Sequence, residues 1–395
     1  MDDRIDAIQR RTAGDPRVIG LAGGLPSEAQ FPKGELARSF VRVLEHAGAP
    51  ALQYGWAEGF ESLRELIASR LRARGAPASA GDVIVTSGAQ QAIAIALEVI
   101  CRPGDRVGVA PETYPAALDL LRERRLVPVV SATGVRAHYA MPAVGNPSGV
   151  GLDAGARAAL LEGGAPVIED DAYADLRFDG TAPRPLLAEA PRQVFHVGTL
   201  SKTLCPGLRI GWLVAPARFR KRALRIKQGS DLHASSLAQA IVADLLGATP
   251  AGSGLDFEAR LVHLRRFYRA RAAALGRALR AHLPEWHFSE PEGGFAIWAL
   301  ADRSPLAPLA PLAPLAPLAP LAVPGCGGVD EKTFLEAAAD EGVMVDPGSM
   351  FRANRSVAPM AIRLCFSAAP PTKFEEAVRR LARAWRRVRR ARLVA

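Results

Sequence analysis

Lysine is the residue this chain does without: only six, Lys33, Lys202, Lys221, Lys227, Lys332 and Lys373, stand among 50 basic residues in a chain of 395. Cysteine is nearly as sparse. Cys101, Cys205, Cys326 and Cys365 lie far apart and form no CxxC pair, which argues against a disulfide framework or a metal site and makes a reducing cytoplasm the expected compartment. No run of about 18 uninterrupted apolar residues occurs, so no membrane span is expected. The opening MDDRIDAIQRRTAGDP is charged throughout and lacks the apolar centre of a signal peptide. Neither GxGxxG nor GxxxxGK[ST] is present, which removes the main support for dinucleotide or nucleoside-triphosphate binding.

What is present suffices for a large core and two lobes, with 49% hydrophobic residues, 36 glycines and 31 prolines. The formal net charge of +10 is local: eight arginines and no acid lie between Arg379 and Ala395, leaving about +2 (10 minus 8) for the rest. In VRRLARAWRRVRR the apolar Val378, Leu381, Trp385 and Val388 recur every three or four residues. That spacing predicts a terminal helix packed on one face and solvated on the other. No nucleic-acid-reading motif accompanies it, so no nucleic-acid partner is expected.

Strand-like runs alternate with helical ones through the middle of the chain. DVIVTS (82–87), RVGVA (106–110), LVPVV (126–130), PVIED (166–170) and QVFHVGT (193–199) follow at βα spacing, and Ile93, Leu97 and Ile100 share a helical face after the first. This predicts an α/β fold with a mostly parallel sheet covered by helices. A long helix carrying Leu261, Leu264, Tyr268, Leu275 and Leu279 on one stripe follows, and PEGG (291–294) opens a second unit. Within that unit Pro-Leu-Ala repeats six times over 305–322. Proline at every third position forbids helix and predicts an expanded, extended surface loop.

Against this scarcity of lysine, GTLSKTLCPGLRIGW (198–212) keeps Lys202 between two hydroxyl residues. Arginine supplies charge equally well but never becomes a neutral amine nucleophile. TSGAQQ (86–91) reads as strand, tight turn and helix start, an anion site suited to phosphate, and Thr199, Ser201 and Arg209 mark a second anion-binding turn. A phosphate beside an obligatory amine points to pyridoxal phosphate, whose aldehyde condenses with a lysine. The cofactor's ring nitrogen needs a buried carboxylate, and Glu169, Asp170 and Asp171 stand at a strand end. Its ring face wants an aromatic, for which Tyr114 is available; its phenolic oxygen wants donors, for which Asn146 and Tyr173 are available.

The chain resembles the fold-type I, class I/II aminotransferases, and among them the 2-aminoadipate and kynurenine aminotransferase group. The likeness runs in order through IGLAGGLPSEAQFP (19–32), LQYGWAEGFESLRELIASRL (52–71), VTSGAQQAI, EDDAY, GTLSKTLCPGLRIGW, KQGSDLHASSLAQ (227–239), GVMVDPGSMF (342–351) and IRLCFS (362–367). It implies a PLP-transferase fold with a seven-stranded, mostly parallel sheet in a large domain (48–285). A smaller α/β domain would draw on both termini (1–47 and 286–395), with the loop 305–322 inside it. Lys202 would be the Schiff-base lysine and Asp170 the partner of the ring nitrogen. Tyr114 would stack on the ring, and Asn146 with Tyr173 would meet the phenolic oxygen. Ala89, Gln90, Thr199, Ser201 and Arg209 would hold the phosphate, with Tyr54 reaching over from the second subunit of a homodimer. Arg363, with Asn146 and Gly24 alongside, would take the substrate α-carboxylate.

Several features depart from the family. Ala172 stands where a proline is usual in EDDAY, GNPSG (145–149) lacks its aromatic-Gln lead-in, the segment before LAGG is short, and the Pro-Leu-Ala expansion has no counterpart. The activity implied is amino transfer from an L-amino acid to a 2-oxo acid, with 2-oxoglutarate the expected acceptor. The same residues would serve elimination, cyclisation or oxidation of an amino acid in a specialised pathway. A ligand-sensing transcription regulator on the same fold would need a winged-helix domain ahead of it, and none is expected here.

Overall fold

The computed structural model describes residues 15–247, 254–301, 330–354 and 359–393. The Pro-Leu-Ala loop at 305–322 and Cys326 lie outside these residues.

Among the described residues twelve strands run in chain order as β1 (Ile19–Leu21), β2 (Val83–Thr86), β3 (Arg106–Gly108), β4 (Val127–Val129), β5 (Ala137–Ala140), β6 (Val167–Asp170), β7 (Val194–Thr199), β8 (Gly211–Val214), β9 (His287–Phe288), β10 (Ala296–Leu300), β11 (Val343–Pro347) and β12 (Ala361–Cys365). Seven form one sheet in the order β2-β8-β7-β6-β5-β3-β4, and only β8 runs against the rest. Strands β6 and β7 are buried along their whole length, as expected where helices cover both faces of a parallel sheet. The five strand runs read from the sequence all lie in this sheet. Pro128 sits in β4, at the sheet's edge, where its missing N–H costs no ladder bond.

Strands β1, β11, β12, β10 and β9 form a second sheet in that order. Its first member comes from the start of the described chain: β1 runs parallel to β11, with Ile19 opposite Val343 and Leu21 opposite Val345. The helix Phe257–His282 buries Leu261, Leu264, Tyr268, Leu275 and Leu279, the predicted stripe. The helix Phe374–Leu393 turns Val378, Leu381, Trp385 and Val388 inward, and Trp385 packs against Trp286 and Phe334 at 5.2 and 5.6 Å between ring centres. Its outward arginines find acids on the helix Glu331–Asp340 and just after it: Arg383 pairs with Glu341 at 2.8 Å and Arg387 with Asp340 at 3.0 Å. Much of the basic face therefore answers acids of the same chain.

In the large sheet the carboxyl ends of β2 and β7 flank the first residue of the antiparallel β8. Gly211 pairs with Thr86 on one side and Thr199 on the other. This brings the TSGAQQ turn and the lysine turn side by side at the edge where open α/β sheets present their ligands.

Candidate active site

Lys202 lies three residues past the end of β7. Its Nζ donates to the Gly24 carbonyl at 3.4 Å and stands 5.5 and 5.6 Å from the ring centres of Tyr173 and Phe295. Burial lowers its pKa below the ordinary lysine value; Tyr114 and Asp170 pull the other way, while Arg363 adds to the lowering. A buried amine displaced toward its neutral form is what nucleophilic work requires.

Strand alternation sorts the three consecutive acids. Glu169 accepts the N–H groups of Leu186 and Leu187 at 2.6 and 3.1 Å and contacts His196 at 3.0 Å. Asp171 pairs with Arg74 at 2.5 Å. Asp170, pointing to the opposite face, accepts the Tyr139 hydroxyl at 2.7 Å and the Ala172 N–H at 3.2 Å. Burial raises the Asp170 pKa, partly opposed by these hydrogen bonds, and Lys202 and Asp171 act on the same carboxylate. Of the three acids, Asp170 is the one that shares its surroundings with the lysine. Tyr114, at the start of the helix Pro115–Glu123, lies within the fields of Lys202, Asp170 and Tyr173, and burial raises its pKa.

The TSGAQQ turn forms as read. Gly88 takes φ +95°, and the helix Ala89–Ile100 starts immediately after it. A side chain at Gly88 would both strain the backbone and overlap the Arg209 guanidinium. Arg209 itself is left-handed at φ 54°, ψ 41°, an uncommon state for a non-glycine residue, and its Nη2 donates to the Ser87 carbonyl at 2.9 Å. Thr199 Oγ1 accepts the Ser201 N–H at 3.1 Å and donates to the Ile210 carbonyl at 2.9 Å, with Ser201 Oγ 3.0 Å away. Free helix N–H groups, two hydroxyls and a guanidinium are thus brought together at one turn, an arrangement suited to an anion. Gln90 is exposed beside it and Ala89 partly so.

Opposite lies the guanidinium of Arg363, on β12. Its Nη1 donates to Asn146 Oδ1 at 2.8 Å, and its Nε and Nη2 donate to Asp346 Oδ2 at 2.9 and 2.7 Å. Gly24, Asn146, Tyr173, Phe295 and Arg363 line one cleft. Tyr54 stands apart: it is 78% exposed, with its ring edge against His233 at 5.8 Å.

Three residues of the site escaped the sequence reading. Tyr139 lies on β5, whose AHYA is too short and weakly patterned to announce a strand. Asp346 belongs to a DPG triplet that reads as a turn signal but folds as the end of β11. Lys227 is wholly buried and ion-paired with Asp231, whose other oxygen accepts the Ser87 hydroxyl at 2.8 Å. Gln91 takes the Ser87 N–H at 2.8 Å and donates to Ser230 at 3.1 Å. Ser87 is therefore held at its N–H, its hydroxyl and its carbonyl. The rarity of lysine was the available signal for Lys227.

The geometry suits a phosphorylated pyridine aldehyde: an anion-binding turn that a single Cβ would fill, a buried carboxylate for a ring nitrogen, and a desolvated amine. Comparison with known proteins agrees. A family model for aminotransferase class I and II matches residues 17–136 and 140–381, and the chain belongs to that family. The aromatic-amino-acid aminotransferase 1 of Thermococcus litoralis is 32% identical over 92% of this chain and 87% of its own length. The 2-aminoadipate transaminase of Thermus thermophilus is 31% identical, over 93% and 90%. Among solved structures, the alpha-aminoadipate aminotransferase LysN of Thermus thermophilus, complexed with N-(5'-phosphopyridoxyl)-L-leucine, superposes with a TM-score of 0.82 at 28% identity, covering 98% of this chain and 97% of that one. The protein is an aminotransferase of amino-acid metabolism, with the PLP fold type I and pyridoxal phosphate as its cofactor. Its substrates are an amino acid and an oxo acid. No helix among the described residues is long and apolar enough to cross a membrane.

Proposed function

We propose that this chain transfers the amino group of an L-amino acid to 2-oxoglutarate in two half-reactions sharing one cleft, with Lys202 as the residue that links to the cofactor and moves the proton. The observation that carries this reading is the half-buried Lys202 amine, its pKa lowered by desolvation and its charge felt by Tyr114, Asp170 and Arg363. When bound, pyridoxal phosphate supplies an aldehyde carbon that takes up an amine and a protonated ring that draws electrons from the substrate Cα. Asp170, held by Tyr139, keeps the proton on the ring nitrogen. Tyr114 faces the ring, while Asn146 and Tyr173 serve its phenolic oxygen. Ala89, Gln90, Thr199, Ser201 and Arg209 hold the phosphate. Arg363, with Asn146 and Gly24, takes the α-carboxylate common to donor and acceptor through a two-pronged contact. Lys202 Nζ removes the proton from the substrate Cα and returns it on the far side of the exchange, for which its lowered pKa suits it.

A homodimer completes the reading. Phe40, Val41 and Leu44 on the helix Lys33–Leu52, then Leu52, Tyr54 and Trp56, expose a run of large apolar side chains, with Trp56 at 79%. Such a surface asks for a partner, and a second copy would bring Tyr54 to the other subunit's phosphate. Free Cys101, Cys205 and Cys365 fit work in the reducing cytoplasm.

The test is direct. Borohydride treatment of the holoenzyme should fix the cofactor's mass on the peptide containing Lys202. Lys202→Ala should lose turnover by roughly 10³-fold or more, since it removes both nucleophile and proton carrier. Substantial residual transamination in that variant would sink the assignment.

A further inference from the structure

The buried carboxylate of Asp346 is used by none of the steps above. It lies on β11, directly opposite Arg363 of β12 in the ladder, and both side chains are more than nine-tenths buried. Its Oδ2 accepts from Arg363 Nε and Nη2 at 2.9 and 2.7 Å. The Gly23 N–H is shared between its two oxygens at 3.1 and 3.0 Å. A guanidinium has five N–H donors. Asp346 takes two and Asn146 one, which leaves two, the number a carboxylate needs for a paired contact.

Gly23 and Gly24 follow β1 and cross the guanidinium. A Cβ on Gly24 would stand 3.3 and 3.4 Å from Arg363 Nη2 and Nη1, and Gly24 has φ +60°. The same Gly24 offers its carbonyl to Lys202 Nζ at 3.4 Å. Asp346 therefore ties two things to one oxygen pair: the edge of the arginine, and the backbone lying between that arginine and the lysine.

We infer that Asp346 is a positioning residue for substrate binding, one that fixes the orientation of the Arg363 guanidinium and clamps the Gly23–Gly24 segment beside it. Without the acid, the guanidinium is free to turn its occupied edge toward the cleft, and an incoming carboxylate meets it in several poses. Orientation outweighs the added positive charge, because the paired contact depends on angle as well as distance. This inference rests on the reading of Arg363 as the α-carboxylate anchor.

The experiment is a double-mutant cycle on the cofactor-loaded enzyme. The acceptor is 2-oxoglutarate, and the donor is whichever of L-leucine, L-phenylalanine and L-2-aminoadipate turns over best. Asp346→Asn should raise KM for donor and acceptor alike by about 10- to 30-fold, the lower part of the range for a lost hydrogen bond to a charged group. Turnover at saturation, the cofactor's absorbance and its affinity should change less than about threefold, which a merely structural defect would not respect. Asp346→Glu, which keeps the charge, should recover part of the loss. In an Arg363→Ala background the Asn substitution should add less than about twofold. An equal effect in both backgrounds, an unchanged KM or a lowered one overturns the proposal. So does failure of both Asp346→Asn and Asp346→Glu to fold, which would make the acid a folding residue. If Arg363→Ala alone leaves both KM values intact, the anchor reading falls first and this inference with it.

Discussion

The TSGAQQ turn and the surroundings of Arg363 are built differently. The TSGAQQ turn gathers backbone N–H groups, short hydroxyls and Arg209, carried by the large sheet and the helix that follows β2. Ser87 at its centre is held three ways, by Gln91, Asp231 and Arg209. On the second sheet stands a single guanidinium, that of Arg363, held by Asp346 and Asn146. The first is rigid and partly open; the second is buried and drawn from three distant stretches of chain. A resident cofactor suits the first and a ligand that enters and leaves suits the second. A phosphate that stays wants many fixed donors, whereas an exchanged carboxylate wants one strong contact whose neighbours are already satisfied.

Substitutions at each should separate along this line. The largest effect is expected from Arg363→Ala. Removing one partner of a buried charged contact is worth about 3–5 kcal/mol, so kcat/KM should fall roughly 10²- to 10³-fold in both half-reactions, with cofactor affinity nearly unmoved. Single-turnover kinetics of each half-reaction check it, and a loss in only one would mean that Arg363 reads a side chain. Tyr139→Phe tests Asp170. Losing a hydrogen bond to a carboxylate costs about 1.5 kcal/mol or more, and kcat should drop about tenfold without a matching rise in substrate KM. Next comes Lys227→Met beside the TSGAQQ turn. It leaves Asp231 to the neutral partners Ser87 and Gln91, and the cofactor Kd should rise about five- to tenfold, while kcat with excess cofactor changes less than twofold. A shift in substrate KM instead would erase the distinction between the two.

The smallest effect is a pH slope in the cofactor-free protein. Burial raises the Asp170 pKa above the ordinary aspartate value, so the folded state holds its proton more tightly than the unfolded chain does. Ionising it costs stability, and that cost sets in as pH rises above about 4. Asp170→Asn removes a group that must ionise. The melting-temperature difference between Asp170→Asn and the parent should therefore move in favour of asparagine as pH is raised from about 4 to 7. A difference independent of pH would mean that Asp170 does not titrate as its burial implies.

Much of this was legible beforehand, for identifiable reasons. The parallel strands show as continuous apolar runs, and Lys202 shows because a chain rich in arginine has no other need for lysine there. EDD left three acids open, and the pleat of β6 separates them, since neighbouring side chains face opposite ways. Tyr139 and Asp346 could not be read. Each matters through a contact made across strands, Tyr139 to Asp170 and Asp346 to Arg363, and a single sequence records no pairing register. β8 (GWLV) runs against both its neighbours, and a single sequence does not record strand direction.

The clasp between Gly23 and Asp346 joins residues 323 positions apart, and β1 reaches its partner β11 across a similar span. Contacts so distant along the chain form late, because the loop entropy they close must be met before they return anything. The large sheet, with its lysine turn and its anion turn, lies within residues 83–214 and is available to fold as soon as that stretch has emerged. The second sheet must wait for β12 and for the return of β1. Synthesis from the N-terminus thus sets an order of maturation, in which the strands carrying Lys202 and the TSGAQQ turn are complete before β12 with Arg363 can join β11 and β1.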